Sequence, residues 1–350
     1  MKTQRSQLLI PDATRRRMTH YLAALRSGST RAGGRLQAGL EGGDWGARIE
    51  RAFLDALLNT KLPQIFAESA VVGDGSDWNA EELGILGDIS IALPVTVFDD
   101  GRHRDPIPHA DPFTGTLVFT PGALLRNGMG QTPADWTEVV DPDGSLNADA
   151  YYGLYERRLL PVFRYVDAKA TQCGQKALIT LPGLGCGQFA GPFQGRLGAA
   201  LQTVLERFLE QHGESFSGIR AVYFDPYNEC VNTRRDIHGI SFLVRPLLQG
   251  NEDKPQLCHP TAYEEPGDDF SDCYLTSIVA WDHVSWPGND FFAGSRCTDD
   301  GVKAAATDSM RALTSIEGHY DRDRGAYLPP EPHPTWEAVV RCHKLKLIGA

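Results

Sequence analysis

The chain has 350 residues, of which 41% are hydrophobic and 23% are charged, so it is long enough to bury one large core or to divide into two domains. Its 45 acidic and 34 basic residues give a formal net charge of -11, which argues against a surface that neutralises nucleic-acid phosphates or anionic lipid. An anionic ligand must therefore be held by local devices such as loop amides and helix N-termini.

The seven cysteines are scattered and include no CxxC pair, a pattern typical of a reducing compartment. No apolar run is long enough to cross a bilayer, and the basic N-terminus lacks the apolar stretch of a secretion signal. We therefore expect a cytosolic protein, or one delivered into a host cytosol, that binds neither nucleic acid nor membrane.

Residues 1–75 are predicted to form a helical N-terminal segment that precedes the main domain at 76–350. Within DWGARIERAFLDALL, apolar residues recur at helical spacing, so one face of this segment packs against other parts of the protein. These residues are Trp45, Ile49, Phe53, Ala56 and Leu57. The basic run at 15–17 leaves a substrate-binding arm as the alternative to a helical appendage.

Strands and helices alternate from residue 83 onwards. The stretches ILGDISIALPVTVF and GTLVFTPG are rich in β-branched residues and predict strands, and AYYGLYERRLLPVFRYVDAKATQ predicts a helix that Pro161 kinks or divides. ALITLPG, RLGAALQTVLERFLEQHG and IRAVYFDPYNE then predict strand, helix and strand. Further strands are expected at HGISFLVRP and YLTSIVAWDH, and a helix at GVKAAATDSMRALTSIEG. This order implies a βαβ unit and a mostly parallel sheet in an α/β fold.

The stretch LITLPGLGCGQFAGPFQGRLG leads from an apolar strand through Gly183, Gly185 and Gly187 into a helix. Glycines let the backbone approach a ligand and turn its N–H groups inward, and the start of a helix favours negative charge. The stretch therefore predicts a diphosphate-binding loop, with a purely steric turn as the alternative. It matches neither a Walker A loop nor a dinucleotide fingerprint.

The same stretch, LITLPGLGCGQFAG, resembles the second ligand loop of macrodomains, which wraps the diphosphate of ADP-ribose. AVYFDPYNE is similar to the macrodomain strand that ends beside the adenosine, and LGDIS is similar to the Gly-Asp-Ile-Thr motif of the family. The resemblance spans roughly residues 80 to 230 and fails where TPGALLRNG replaces the Asn-Ala-Ala-Asn loop with its catalytic asparagine. It implies a three-layer α/β/α macrodomain-like fold with a mixed sheet and a C-terminal extension.

The macrodomain resemblance also implies which residues bind ADP-ribose. Asp88 corresponds to the residue that binds the adenine amino group, and Asp225, Tyr227 and Asn228 lie on the adenosine side. The diphosphate would be held by Gly183, Gly185, Cys186, Gly187, Gln188 and Phe189.

A second informative stretch, WDHVSWPGNDFFAGSRCTDDG at 281–301, combines acidic residues with large aromatics and loop-forming Gly and Pro. This combination is typical of a site with apolar walls and a few carboxylates. It resembles the acidic motif of the MavL-type arginine-specific macrodomain hydrolases. That resemblance implies that Asp282, Asp290 and Asp300 act on the distal ribose and the guanidinium, while the adjacent Asp299 stays open as a further candidate.

The chemistry of the implied reaction demands several acids. Cleavage of an N-glycosidic bond passes through an oxocarbenium-like state, which a nearby carboxylate stabilises while it deprotonates water. A second carboxylate can pair with a guanidinium. We expect hydrolysis of ADP-ribosyl-arginine on a protein, with ubiquitin as one candidate target and with no metal or cofactor. The alternatives are a non-catalytic ADP-ribose-binding protein and a hydrolase of poly-ADP-ribose or of ester-linked ADP-ribose.

Structural roles for the same acids are the competing interpretation. Asp282 could cap the turn after its strand, Asp290 could be a turn residue, and Asp299 or Asp300 could N-cap the next helix. The aromatic residues of this stretch are more often core residues than ligand platforms. They are Trp281, Trp286, Phe291 and Phe292.

Overall fold

The computed structural model describes residues 6–40, 49–63, 77–128, 130–343 and 345. Trp45 and the side chain of Ile49, two members of the apolar helix face expected near the N-terminus, lie outside the described part. The described members of that face behave as expected, since Phe53 and Leu57 are fully buried.

The described part of the chain contains both strands and helices, numbered in chain order. The strands are β1 (Gln7–Leu9), β2 (Ser90–Asp99), β3 (Pro108–Pro121), β4 (Lys176–Pro182), β5 (Ile219–Asp225), β6 (Thr233–Ile237), β7 (Ile240–Val244), β8 (Cys273–Trp281), β9 (His319–Asp321) and β10 (Ala326–Leu328). The helices are α1 (Asp12–Ser27), α2 (Gly34–Leu40), α3 (Ile49–Leu58), α4 (Ala80–Gly87), α5 (Trp136–Val139), α6 (Ala148–Cys173), α7 (Leu197–His212), α8 (Asp299–Ala305), α9 (Ser309–Thr314) and α10 (Trp336–His343). Short 3₁₀ helices lie at Gln188–Phe193, Gly213–Ser215, Pro260–Tyr263 and Asn289–Ala293.

Eight strands form one mixed sheet in the order β1-β2-β3-β8-β4-β5-β7-β6. The five strands β3, β8, β4, β5 and β7 run parallel, whereas β1 and β2 at one end and β6 at the other pair antiparallel. The carboxyl ends of the five parallel strands and the start of β2 therefore meet at one edge of the sheet, where ligands bind in open α/β sheets.

Helical layers cover both faces of this sheet. Successive residues of a strand point to opposite faces, so Leu178 of β4 faces one core while Ile179 faces the other. Helices α6 and α7 cover the core of Ile179. The core of Leu178 is covered by elements from both ends of the chain, among them α1, α3, α4, α9 and α10. The predicted three-layer α/β/α fold is confirmed.

The described part of residues 1–75 is not helical throughout, because β1 pairs with β2 at the edge of the sheet. Tyr21 of α1 and Phe53 of α3 also pack in the same core as Ile91 of β2. This part of the chain therefore contributes to the main sheet and core, and the boundary at residue 75 stays a prediction.

Two predicted elements differ from the structure. The strand expected from residue 85 begins only at Ser90, because 80–87 form α4, whose N-cap Asn79 makes a capping box with Glu82. The single helix expected at 301–318 is wrong: it is two helices, α8 and α9. They are separated because Ala306 and Asp308 hydrogen-bond with the main chain of β2 at Phe98 and Thr96.

Helix α6 runs continuously from Ala148 to Cys173 with Pro161 inside it. Of the two effects expected of this proline, division of the helix is therefore wrong, and a kink stays a prediction. The predicted helix at 196–213 is present as α7.

Candidate functional site

The loops that follow β3, β8 and β4 touch one another at the carboxyl edge of the sheet. Gly122, directly after β3, donates its N–H to the carbonyl of Trp281 at the end of β8, with an N···O distance of 3.3 Å. A Cβ on Gly122 would lie 2.3 Å from the main-chain nitrogen of Gly185. The residues predicted to bind diphosphate and those predicted to act on the distal ribose therefore lie on loops linked through the β3 loop, residues 122–128.

The predicted diphosphate loop, residues 183–189, will be called the glycine loop. Gly185 has φ +74° and a Cβ there would lie 2.7 Å from the carbonyl oxygen of Ala123, so the close approach of the two loops requires glycine. The hydroxyl of Tyr155 holds them together: it donates to the Leu184 carbonyl (2.6 Å) and accepts from the Ala123 N–H (3.0 Å).

Three residues of the glycine loop that are predicted to bind diphosphate differ in their solvent exposure. Gly187 and Gln188 are exposed, whereas Cys186 is buried. Burial raises the pKa of the Cys186 thiol well above its ordinary value, and the nearby Glu229 raises it further. Cys186 is therefore a packing residue that keeps its proton, and a ligand would meet the loop at 187–188 and at its main chain.

The N-terminus of α7, which the sequence suggested as an anion site, already carries a carboxylate. Glu229 accepts the N–H of Gly198 at 2.6 Å. A carboxylate at this position satisfies the helix start, so the main chain of the glycine loop is the remaining device for a diphosphate.

The predicted adenosine side lies at the end of β5. Asp225 is buried and accepts N–H groups from Tyr227 and Leu247, both at 2.8 Å, and the side-chain amide of Gln256 at 3.2 Å. Tyr227 has φ +63° and is 55% exposed, and Asn228 is also exposed. Asp225 thus orders the turn that presents Tyr227 and Asn228 to solvent.

Asp88, predicted to bind adenine, lies at the same sheet edge just before β2 and is buried. It accepts hydrogen bonds from Thr14 (2.8 Å), Arg157 (2.9 Å) and Arg158 (3.2 Å). Its role toward adenine stays a prediction, and the contacts it makes in the protein are ionic and structural.

Arg158 connects Asp88 to a second buried acid that the sequence did not single out. Its guanidinium contacts Asp135 at 2.8 Å and the Gly122 carbonyl at 2.9 Å. His283, which follows Asp282, lies 3.3 Å from the same Asp135. A buried chain of contacts between Asp88, Arg158, Asp135 and His283 therefore joins α6 to the base of the acidic stretch.

Strands β4 and β8 separate near the site. Their pairing ends at Thr180 and Ser277, although β8 continues to Trp281. Side chains of α8 bind the β8 main chain beyond this point: Asp299 accepts the N–H of Ala280 at 2.8 Å, and Lys303 donates to the Ile278 carbonyl at 2.8 Å. The split between the strands therefore places the start of α8 beside the carboxyl ends of the parallel strands.

The four acids of this region, Asp282, Asp290, Asp299 and Asp300, form what will be called the acid cluster. Asp282 accepts the N–H groups of Val284 (2.7 Å) and Ser285 (2.5 Å) and the Ser285 hydroxyl, so its contacts are those of the turn-capping alternative. Asp290 accepts the N–H of Cys297 at 2.7 Å and the hydroxyl of Thr298. Both carboxylates are buried.

The other two acids start helix α8, but neither is its N-cap. That position belongs to Thr298, whose hydroxyl accepts the N–H of Gly301 at 3.0 Å. Asp299 pairs with Lys303 at 3.0 Å. Asp300 is only 1% exposed, and among the described residues its Oδ2 atom has no hydrogen-bond partner.

Asp290 and Asp300 lie close together, since the hydroxyl of Thr298 contacts both. Burial raises the pKa of Asp300 well above its ordinary value, and the negative charges of Asp282, Asp290 and Asp299 raise it further. A buried carboxyl with a raised pKa beside other carboxyl groups is an arrangement that general acid–base chemistry uses.

Two buried lysines, which no sequence motif marked, accompany the acid cluster. Lys61 donates to the His283 carbonyl at 2.5 Å and lies 4.0 Å from the centre of the Trp281 ring. Burial lowers its pKa to about 7, against the opposing charge of Asp282. Burial also lowers the pKa of Lys303, which the charge of Asp299 opposes.

The aromatic residues of the acidic stretch are core residues rather than exposed platforms. Trp281, Phe291 and Phe292 are buried, and Trp286 packs against the same core. They form the apolar wall behind the acid cluster.

A cavity of about 1170 Å³ opens elsewhere, between β1, the start of α1 and one side of α6. Its lining includes Arg157 but none of the predicted site residues. Because it lacks the carboxylates and the glycine loop, cavity size alone does not locate the site. Within the described residues, no group of three or more His, Cys, Asp or Glu side chains is arranged to hold a metal ion.

None of the helices in the described ranges combines the length and the apolar character that a bilayer span requires.

The sequence also matches a family model. A model described as "Macrodomain effector MavL" matches residues 6–333, which includes the described N-terminal elements, the glycine loop and the whole acid cluster. A search among curated proteins finds no match. The chain belongs to the MavL family of macrodomain effectors.

Proposed function

We propose that this protein hydrolyses the bond between ADP-ribose and an arginine side chain of a modified protein. One observation carries the proposal: the acid cluster and the glycine loop flank the same β3 loop, through the contacts of Gly122 with Trp281 and Gly185. Membership of a macrodomain family supports ADP-ribose as the ligand. The proposal assigns these acids to the end of the ligand that carries the linkage to the protein.

The charge of the acid cluster favours a cationic substrate. Four carboxylates are accompanied by the two lysines Lys61 and Lys303, so the cluster retains an excess of acidic groups. A guanidinium offers five N–H donors in a planar fork and keeps its charge at every accessible pH. An arginine linkage, which keeps its positive charge, therefore complements this site better than a serine or a glutamate linkage, both of which are neutral.

In this proposal, the parts of the ligand lie side by side along the carboxyl edge of the sheet. The diphosphate lies against the glycine loop, with the adenosine near Tyr227 and Asn228 and with Asp88 and Asp225 as its predicted acidic contacts. The distal ribose and the guanidinium face Asp282, Asp290 and Asp300. The modified protein, with ubiquitin as one candidate, stays a prediction.

The test is release of ADP-ribose from three defined conjugates, linked through arginine, serine and glutamate, assayed in parallel with poly-ADP-ribose. We expect release from the arginine conjugate alone. Cleavage of only the other substrates would refute the assignment of the linkage. Asp143→Asn is a suitable control variant, because Asp143 is an exposed acid that binds Ser145 in its own turn.

A non-catalytic ADP-ribose-binding protein is the second candidate, and one observation favours it. The carboxylates of Asp282 and Asp290 are bound by N–H and hydroxyl groups of their own loop, as purely structural acids would be. Tight binding of ADP-ribose without release from any conjugate would support this candidate and exclude the hydrolase.

A further inference from the structure

The hydroxyl of Thr298 lies beside two carboxyl groups but has only one proton to donate. It lies within hydrogen-bond distance of Asp290 Oδ1 and of Asp300 Oδ1, the latter at 3.2 Å. It also accepts the N–H of Gly301 at 3.0 Å. A hydroxyl provides one donor and two acceptor positions, so Thr298 can donate to only one of the two carboxyl groups.

A hydrogen bond between Thr298 and the second carboxyl group therefore requires a proton on that carboxyl group. Asp290 also accepts the N–H of Cys297 at 2.7 Å and that of Thr298 at 3.4 Å, which suits an ionised carboxylate. Asp300 has no such donors among the described residues, and its Oδ2 has no partner. A proton on Asp300 Oδ1 can be donated to the remaining acceptor position of the Thr298 hydroxyl. Every polar atom of Thr298 and of the two carboxyl groups then has a hydrogen-bond partner except Asp300 Oδ2.

The surroundings of Asp300 favour the neutral form for an independent reason. The group is 1% exposed, and burial disfavours a charged carboxylate. Three neighbouring acids face it from the end of β8, from the 3₁₀ helix and from α8 itself, and they raise its pKa further. The positive charge of Lys303 favours the ionised form of Asp300. However, this ammonium group is bound to Asp299 and to Gln256.

We propose that Asp300 is the neutral carboxylic acid of the cluster and donates its proton to the departing arginine nitrogen, an inference that rests on the proposed hydrolase function. The bond between the anomeric carbon and that nitrogen breaks, and its electron pair stays on nitrogen, which gives a neutral guanidine. The proton of Asp300 leaves its hydrogen bond with Thr298 and converts this guanidine to guanidinium. Water forms the new bond to the anomeric carbon, and its released proton passes to an ionised acid of the cluster, from which Asp300 is reprotonated.

The first test examines the protonation state without any substrate. Infrared spectra of the wild type and of Asp300→Asn are compared at pH 7 for the stretch of a protonated carboxyl group. We expect the band in the wild type and its loss in the variant. Asp143→Asn is the control, since Asp143 is an exposed acid outside the acid cluster, and we expect it to retain the band. An undiminished band in Asp300→Asn would overturn the proposal.

The second test varies the leaving group. Nitrophenolate departs without a proton, so a nitrophenyl conjugate of ADP-ribose does not need the donor. We expect Asp300→Asn to slow cleavage of the arginine conjugate by about 100- to 10,000-fold, the usual contribution of general acid catalysis. Cleavage of the nitrophenyl conjugate should slow by far less. Equal slowing of both substrates would overturn the donor role.

The two tests separate failure of this inference from failure of the proposed function. If the wild type shows the infrared band but releases nothing from the arginine conjugate, the hydrolase function and the donor role are refuted. The neutral state of Asp300 is then still supported. A wild type that cleaves the arginine conjugate but lacks the band refutes the assignment of the proton alone. Melting curves of each variant verify that it is folded.

Discussion

Gly122 and Gly185 lie so close that a Cβ added to Gly122 would be 2.3 Å from the main-chain nitrogen of Gly185. Gly122 follows β3, and Gly185 is in the glycine loop after β4. The position of the glycine loop therefore depends on the β3 loop. This contact joins two parts of the proposed site through main-chain atoms alone.

We predict that Gly122→Ala lowers the free energy of unfolding by about 1–3 kcal/mol, the usual effect of forcing extra volume into a packed region. Because the added methyl pushes against Gly185, we expect weaker binding of ADP-ribose, measured by titration calorimetry. Gly153→Ala is the control: it adds the same methyl to α6 at a place where, among the described residues, no atom outside the adjoining helix lies within 4 Å, and a helix favours alanine over glycine. Unchanged affinity in Gly122→Ala would contradict a diphosphate site on the glycine loop.

Tyr155→Phe removes the hydroxyl that joins Leu184 to Ala123. Two buried main-chain groups lose their partner, which costs about 1–3 kcal/mol each when no water replaces it. We expect lower stability and weaker ADP-ribose binding, although Tyr155 itself is buried. The matched control is Tyr152→Phe, which removes a hydroxyl from the same helix where it contacts Glu156 and Gln211. Equal effects of the two variants on affinity would contradict a specific role for Tyr155.

Arg158→Met leaves Asp88 and Asp135 buried without their shared cation. Removal of one partner from a buried ion pair costs about 3–5 kcal/mol, and we expect a loss of this size in urea unfolding at pH 7.

The loss in Arg158→Met should depend on pH. Burial would raise the pKa of Asp135, but the charges of Arg158 and His283 hold it well below its ordinary value. A depressed folded-state pKa stabilises the protein above the unfolded-state value of about 4. The difference in the free energy of unfolding between wild type and variant should therefore become smaller as the pH falls below about 4. A gap that stays constant would show that lost packing, not charge, explains the effect.

Lys61→Met tests the buried ammonium beside the acid cluster. The folded-state pKa of Lys61 is lowered from 10.5 to about 7, so the penalty for burying this lysine is complete below pH 7 and disappears as the pH rises toward 10.5. Relative to the variant, the wild type should gain free energy of unfolding across this window, on the order of 1 kcal/mol per pH unit. Denaturant unfolding at several pH values measures the gain. Parallel stability curves for the two proteins would contradict it.

Local patterns in the sequence were sufficient to predict many of the helices and strands. The alternation of apolar residues predicted α6, α7 and the parallel strands β4 and β5, because a helix face and a strand face each repeat within a few residues. The glycines of LPGLGCGQF marked the close approach of loops, which Gly185 makes through its φ of +74°. Prediction failed where a distant segment intervenes, since contacts of Ala306 and Asp308 with β2 divide a helix that its own sequence continues.

The sequence by itself determined that acids, aromatics and glycines occur in the right order for an α/β ligand site. Only the tertiary structure decided which groups surround those acids: Lys61 lies 222 positions from His283, whose carbonyl it binds, and Thr298 rather than an aspartate caps α8. Charge and hydrogen bonding act between atoms that are close in space, and the distances between segments far apart in sequence are set by the packing of both chain ends on one face of the sheet.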